Sequence, residues 1–555
     1  MKSFLKLKYV LLGMLATLFL ACEDYLEEEF FSDVTAEKFI DENNADQLIA
    51  GIYANLRDIY KRYDINMYGT DVYSAKSMVQ EFNSLNDYFG LSSDNGNIED
   101  YWRDNYDLIA DANIAINRYE NQISWNDSNL GARDYGVAQA RALRALAFYN
   151  LVQHFGGLVL DLEETTTIRS DYARSSEADT YAQIIEDLEA AIPGLLDAPD
   201  TGRFSRRAAQ HLLADVYLTR AYTSFGNASD FDTAASLAEQ AIGSYDIRSQ
   251  TYAEVFDLGN QVNSEVLFAV QYGTQGSDAD RTNTKHGFAM NSIENYAGVG
   301  RNSQYGASSS GVMPTPYFYG LFADNDTRDE VTLHRVLFAA EDASFTSGDG
   351  QPVDDIITGD TVIYYPKNAV DAAELADKLD RYWVYQPDQY LFGLPDDVPG
   401  AVYQYSSNIN RINFPIFKKF DDVGIDGGSG GSRDTFVFRI AETHLIAAEA
   451  YLGSGNAASG LQHLNVVRER ATGDANFYTT LDIDTILDER AIELSGEENR
   501  WAVLKRTGKL EERTNLYNPQ NVDHGAFDSN IHLLRPIPDN ELLLSDGTLE
   551  QNPGY

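Results

Sequence analysis

Aromatic side chains interleaved with amides and carboxylates are the main chemical resource of this sequence, which holds 35 tyrosines against 8 histidines and one cysteine among 555 residues. Two stretches concentrate the mixture. Residues 63–106 carry Asp71, Tyr73, Asn83, Tyr88 and Asn95, and residues 288–319 carry Tyr296 and Tyr305. A flat ring covers the C–H face of a sugar, and amide or carboxylate groups bind its hydroxyls, so these seven residues are candidates for carbohydrate recognition. The competing use of each ring is to anchor its own loop to the scaffold.

Covalent and metal chemistry find less support. Gly427-Gly428-Ser429-Gly430-Gly431 has the spacing of a nucleophile elbow, which needs a strand before the serine and a helix after it. Asp421-Asp422 and further glycine precede it and Ser432-Arg433-Asp434 follows, the composition of a loop. The histidines are scattered, with no pair at ligand spacing on one helix. Asp324 and Asp326 with Asp329 offer oxygen ligands for calcium but lack the glycine and distal glutamate of an EF loop, so a helix cap or a pair with Arg328 is the better account. No cofactor is expected. Adjacent acids such as Asp354-Asp355, Asp396-Asp397 and Glu497-Glu498 are what chance supplies among 86 carboxylates, and nothing marks a glycosidase pair.

With 42 basic residues the formal charge is −44. That balance excludes a general nucleic-acid binder and a protein held to anionic lipid by a basic surface. At 43% hydrophobic and 23% charged the chain is globular, and its length allows a large core.

The first residues direct the chain elsewhere than the cytoplasm. Lys2, Lys6 and Lys8 precede an apolar run from Tyr9 to Ala21, too short for an ordinary membrane span of about 20 residues. The run ends in Leu18-Phe19-Leu20-Ala21-Cys22, which is similar to a bacterial lipobox. Residues 1–21 therefore read as a signal peptide and Cys22, the sole cysteine, as the lipidation site. The acidic stretch in 22–35, Glu23-Asp24-Tyr25-Leu26-Glu27-Glu28-Glu29, reads as a tether repelled by anionic headgroups.

The elements that must position the aromatic loops are helical. Tyr181, Ile184, Ile185, Leu188, Ile192 and Leu195 recur at one-turn spacing behind a Ser176-x-x-Asp179 cap. Ala214-Asp215-Val216-Tyr217-Leu218 aligns with Ala448-Glu449-Ala450-Tyr451-Leu452, and each is followed by a Gly- or Ser-containing break and a second apolar stripe. Small residues set against aromatics let antiparallel helices approach closely, the logic of tetratricopeptide hairpins. The sequence predicts a mainly α fold, a tetratricopeptide-like superhelix of hairpins with long loop-rich insertions and a few short β-hairpins. Its parts are residues 36–272, a loop-rich ligand-facing insertion at 273–432, and 433–555, all of 36–555 forming one unit. Val266–Val270 and Val362–Tyr365 are the β-like pieces, and Trp383, Tyr385, Tyr390, Tyr403 and Tyr405 add to the aromatics of the insertion.

Arg439-Ile440-Ala441-Glu442-Thr443, Glu489-Arg490-Ala491-Ile492-Glu493-Leu494, Arg500-Trp501, Arg535-Pro536-Ile537-Pro538 and the terminal Gln551-Asn552-Pro553-Gly554-Tyr555 follow one another in the C-terminal half. With the lipobox and Phe414-Pro415-Ile416-Phe417-Lys418-Lys419, this order resembles the SusD/RagB family across the mature chain. Val159 stands where the family usually has proline, and Asn499 where it has glycine. The resemblance implies a nutrient-binding lipoprotein on the outer face of a cell outer membrane, most often a glycan binder. It also implies a partner, a TonB-dependent SusC-like barrel over which the protein closes. It implies no enzyme and places ligands against the loops named above. A peptide or other small-nutrient lid of the same complex, and a surface glycan-cleaving enzyme, are the alternatives.

Overall fold

Close helix–helix crossings organise this protein, shown by a computed structural model that describes residues 40–75, 80–167, 169–273, 283–291, 293, 296, 298–299, 305, 311–343, 355–379, 382–392, 404–405, 413–422 and 430–555. The N-terminal helices used below are α1 (Asp46–Tyr60), α2 (Gly96–Asn117), α3 (Leu130–Phe155), α4 (Glu177–Ala191), α5 (Arg206–Ala221) and α6 (Ser229–Ile242). After the insertion come α7 (Ile440–Gly453), α8 (Ala457–Thr472), α9 (Ile483–Glu493) and α10 (Arg500–Arg506). Neighbours in sequence pack as antiparallel pairs, α2 on α3, α5 on α6 and α7 on α8, and α6 packs on α7 across the whole insertion.

The local signals act as the periodicity predicts. Ser176 caps α4 by accepting from the Asp179 N–H at 3.1 Å, and Tyr181, Ile184, Ile185 and Leu188 face the core. Helix α4 stops at Ala191 and a 3₁₀ turn holding Pro193 carries the chain to buried Leu195. The two aligned hairpins meet in a tight cluster of Ala214, Leu218, Ala234, Ala235, Ala238, Ile446, Ala447 and Ala450. Glycine is required at two crossings. A Cβ on Gly453 would lie 2.3 Å from the Phe231 ring, and one on Gly460 would lie 2.8 Å from the Ala448 carbonyl oxygen. These contacts make the chain mainly helical in repeated hairpins, with one large apolar cluster running from Ala45 to Leu549.

The strands used below are β1 (Tyr73–Ala75), β2 (Val266–Val270), β3 (Val312–Pro314), β4 (Val336–Phe338), β5 (Thr361–Tyr364), β6 (Trp383–Val384) and β7 (Thr435–Arg439). Consecutive β4 and β5 pair antiparallel, and β1–β3 and β2–β7 are long-range pairs. Antiparallel β1–β3 sets Tyr73 opposite Pro314, and antiparallel β2–β7 joins the two helical halves. β5 pairs antiparallel with β4 and parallel with β6, which sets Trp383 opposite Ile363. The parallel pair follows from the connection through a helix at Ala372–Leu379.

Beneath the strands lies a buried lattice of ions. Arg439 pairs with Glu265, with Glu493 at 3.0 Å and with Glu497 at 2.6 Å. Arg328 reaches Asp326 at 2.8 Å, Glu489 at 2.7 Å and Glu493 at 3.0 Å. Arg470 also pairs with Glu493 and Glu265. Burial alone would raise the Glu493 carboxyl, but Arg470, Arg439 and Arg328 outweigh it and hold it well below the carboxylate range. The adjacent acids Glu497 and Glu498, expected as chance neighbours, both belong to this system: Glu497 pairs with Lys419 and Arg439, and Glu498 with Arg490 at 2.8 Å and Arg500 at 3.3 Å.

Candidate functional site

Of the residues singled out for sugar recognition, the structure buries Asp71, Tyr73, Tyr88, Asn95 and Tyr305. Asp71 is wholly buried and accepts from Arg500 Nε at 2.9 Å, Arg500 at 2.7 Å and Arg513 Nε at 2.7 Å. Burial acts to raise its pKa, yet the two guanidiniums prevail and keep the carboxyl below its ordinary value. The buried Tyr73 hydroxyl accepts from the Gly496 N–H at 2.6 Å, and its ring meets Phe288 edge-on.

Tyr88 is buried with a left-handed backbone, φ +63°. Its hydroxyl donates to the Gly69 carbonyl at 2.7 Å and accepts from Trp501 Nε1 at 3.1 Å. Burial pushes that phenol up to about 12. Asn95 is the N-cap of α2, accepting from the N–H groups of Asn97 and Ile98. The Tyr305 hydroxyl donates to the Phe338 carbonyl at 3.0 Å and accepts from the Phe338 N–H at 2.6 Å, clasping β4. The polar tips of Asp71, Tyr73, Tyr88, Asn95 and Tyr305 are thus engaged in internal hydrogen bonds, the geometry that loop anchoring requires.

Cys22 and the serine of the elbow-like Gly427–Gly431 segment lie outside the described residues, as does the side chain of Asn83 in the helix Gln80–Asp87. Of the calcium candidates, Asp326 pairs with Arg328 and Arg468, Asp329 with Arg335, and Asp324 accepts from Asn368 at 3.0 Å. Among the described residues no three His, Cys, Asp or Glu side chains converge as metal ligands.

Tyr296 is the exception. It stays half-buried and joins two aromatics that the sequence reading named only in passing, Trp383 and Tyr385. Strand β6 places Trp383 and the following Tyr385 two residues apart, hence on one side. Their rings are nearly parallel, 8° apart with centroids 6.2 Å apart. Tyr296 stands edge-on to both, at 6.2 Å from Trp383 and 6.3 Å from Tyr385, and its hydroxyl lies 2.8 Å from that of Tyr385. Tyr385 stacks in turn on wholly buried Tyr365, which meets Tyr390 edge-on. The aromatic column is thus rooted in the core and emerges half-exposed between the loops. Phe338 and Ile357, 41% and 58% exposed, lie in β4 and just before β5. An i, i+2 aromatic pair in a β-like segment was the available signal for Trp383 and Tyr385.

The helices and loops together define a tetratricopeptide-like scaffold whose insertion carries a half-exposed aromatic platform. A family model described as the SusD family matches residues 264–555, more than half of the chain, and one described as "Starch-binding associating with outer membrane" matches residues 24–218. The chain belongs to the SusD family.

Among its relatives, "SusD-like protein P2" of Formosa agariphila is 26% identical over 492 residues, covering 84% of this chain and 82% of that protein. A "SusD-like protein" of Bacteroides ovatus is 25% identical over 517 residues, 90% of this chain and 82% of that one. Of solved structures, a "Laminarin binding SusD-like protein" superposes with a TM-score of 0.63 at 23% identity, covering 93% of this chain and 100% of its own. These likenesses to structures establish the fold.

Proposed function

We propose that this protein is a lipid-anchored outer-membrane protein, exposed at the cell surface, that captures an oligosaccharide and delivers it to a TonB-dependent SusC-like barrel. The observation that carries the binding reading is the platform of Tyr296, Trp383 and Tyr385. It combines flat ring faces with a pair of phenolic hydroxyls, the chemistry suited to a sugar's C–H surface and hydroxyls. The laminarin-binding neighbour supports a glycan as cargo. Capture needs no covalent step, and the buried carboxylates described above are engaged with arginines.

The anchor would be Cys22, with the acidic stretch after it as tether. The test is a polysaccharide panel that includes laminarin, followed by Trp383→Ala and Tyr385→Ala. Each ring would bury apolar area against the sugar at about 25 cal/mol per Å², so each variant should weaken the cognate glycan by roughly 2- to 10-fold or more. Unchanged affinity in both variants removes the platform from the binding site. A peptide hit with no glycan bound replaces the cargo.

A further inference from the structure

Arg535 breaks the rule by which this fold buries guanidinium groups. Arg328, Arg439, Arg490 and Arg500 are as deeply buried, and each pairs with at least two carboxylates. Arg535 is wholly buried, yet none of its Nε, Nη1 and Nη2 atoms has a hydrogen-bond partner among the described residues.

Its surroundings are aromatic and basic. The guanidinium carbon lies 4.5 Å from the centre of Trp501 and 5.5 Å from that of Tyr88. The Lys505 ammonium sits 5.5 Å over the same indole, half-buried, donating to the Gln153 carbonyl at 2.6 Å. His154 stacks on the indole at 4.9 Å, and its Nδ1 is also buried without a hydrogen-bond partner among the described residues. His532 packs 5.2 Å from the Tyr88 ring. Burial holds Lys505 down to about 8 and His532 to about 4, so the pocket disfavours positive charge.

Aromatic faces attract a guanidinium but leave the five N–H groups in its plane unsatisfied. A wholly buried guanidinium with no ion-pair partner among the described residues is among the costliest arrangements a core can hold, and the half-buried Lys505 beside it, whose charge only Glu177 favours, adds to the excess of positive charge. A water molecule satisfies donors and leaves the charge uncompensated. The enclosure is tight: Trp501 and Arg535 have no exposed surface, and Tyr88 and His532 expose 1% and 7%. A sulfate ester or uronate on a polymer cannot enter such a space.

We propose that Arg535, with Lys505 beside it, binds a small monovalent anion of chloride type at the edge of the guanidinium, within the aromatic enclosure of Tyr88, Trp501 and His532. The anion would tie together the loop at Tyr88, the end of α3, helix α10 and the C-terminal segment, where the Arg535 backbone N–H already donates to the His154 carbonyl at 2.7 Å.

The test uses the purified full chain. Crystals grown in bromide and measured at the bromine absorption edge should show an anomalous peak within hydrogen-bonding distance of the Arg535 guanidinium. A map with ordered water there and no anomalous signal overturns the proposal, and this result requires no variant. Melting at constant ionic strength gives a second reading: exchanging gluconate for chloride should raise the melting temperature of the native protein with the logarithm of chloride concentration. Arg535→Met should abolish that dependence, and Lys505→Met should move it to higher chloride. Identical native melting curves in the two salts overturn the proposal.

Discussion

Replacing Asp71 by asparagine separates a structural role from a ligand-binding one. The carboxylate takes three charge-assisted hydrogen bonds, two from Arg500 and one from Arg513, in a site with no solvent exposure. Removing one partner of a buried pair costs about 3–5 kcal/mol, because the remaining charge stays buried. Here each guanidinium keeps other partners. Arg500 still reaches Glu498 at 3.3 Å and the Leu487 carbonyl at 2.9 Å, and Arg513 still reaches Asp484 at 3.0 Å as well as Asp488. The cost should therefore fall at the low end, about 3 kcal/mol. An unfolding entropy of about 2.1 cal/mol/K per residue gives roughly 1.1 kcal/mol/K for some 520 residues, so the melting temperature should drop by about 3 °C. Circular dichroism melting reads that drop. Isothermal titration at 20 °C, where the variant is folded, should give native affinity for whatever glycan the panel identifies. A variant that melts like the native protein and loses its glycan would refute the reasoning and return Asp71 to the binding site.

Three further perturbations address the ion lattice, the anchor and the platform. The Glu493 carboxyl is depressed by Arg470, Arg439 and Arg328, so its stabilisation is present above its unfolded value, about 4.3, and is lost as pH falls through its folded value. Melting of the native protein and Glu493→Gln should differ most at pH 6–7 and converge as pH falls below about 4; a gap that widens in acid contradicts the assignment. In cells, Cys22→Ala should shift the protein from membrane to soluble fractions, and a variant that still sediments with membranes shows that something other than the proposed acyl anchor holds it. The platform variants Trp383→Ala and Tyr385→Ala serve as the counterpart of Asp71→Asn: they should lose affinity with only a small drop in melting temperature, because neither residue is fully buried.

The hairpins were legible because their code is local. A one-turn apolar period, a Ser176 cap and the matched Ala-x-x-Tyr-Leu segments need only neighbours within a few residues to be understood. The substitutions at family positions are local as well. Asn499, where glycine is usual, caps α10 by accepting from the Ala502 N–H at 3.1 Å. Val159, where proline is usual, uses its N–H to reach the Tyr106 hydroxyl at 3.1 Å, a bond proline cannot make.

The site was not local. Asp71 looks like a sugar-binding acid until Arg500, 429 residues further on, is brought against it. Tyr73 and Tyr88 likewise find their partners at Gly496 and Trp501, more than 400 residues away. A tyrosine or aspartate in a polar loop has the same composition whether its tip binds a ligand or a distant element of the scaffold. Depth of burial decides between the two, and depth is set by long-range strand pairs such as β1–β3. Trp383 and Tyr385 differ because their exposure follows from position: β6 is a strand of only two residues in register with β5, and the rings that follow its alternation stack outward from Tyr365. The polar tips near the helical scaffold are claimed first by the ion lattice and the core, whereas an aromatic pair spaced by two beside a short strand keeps its faces only partly covered.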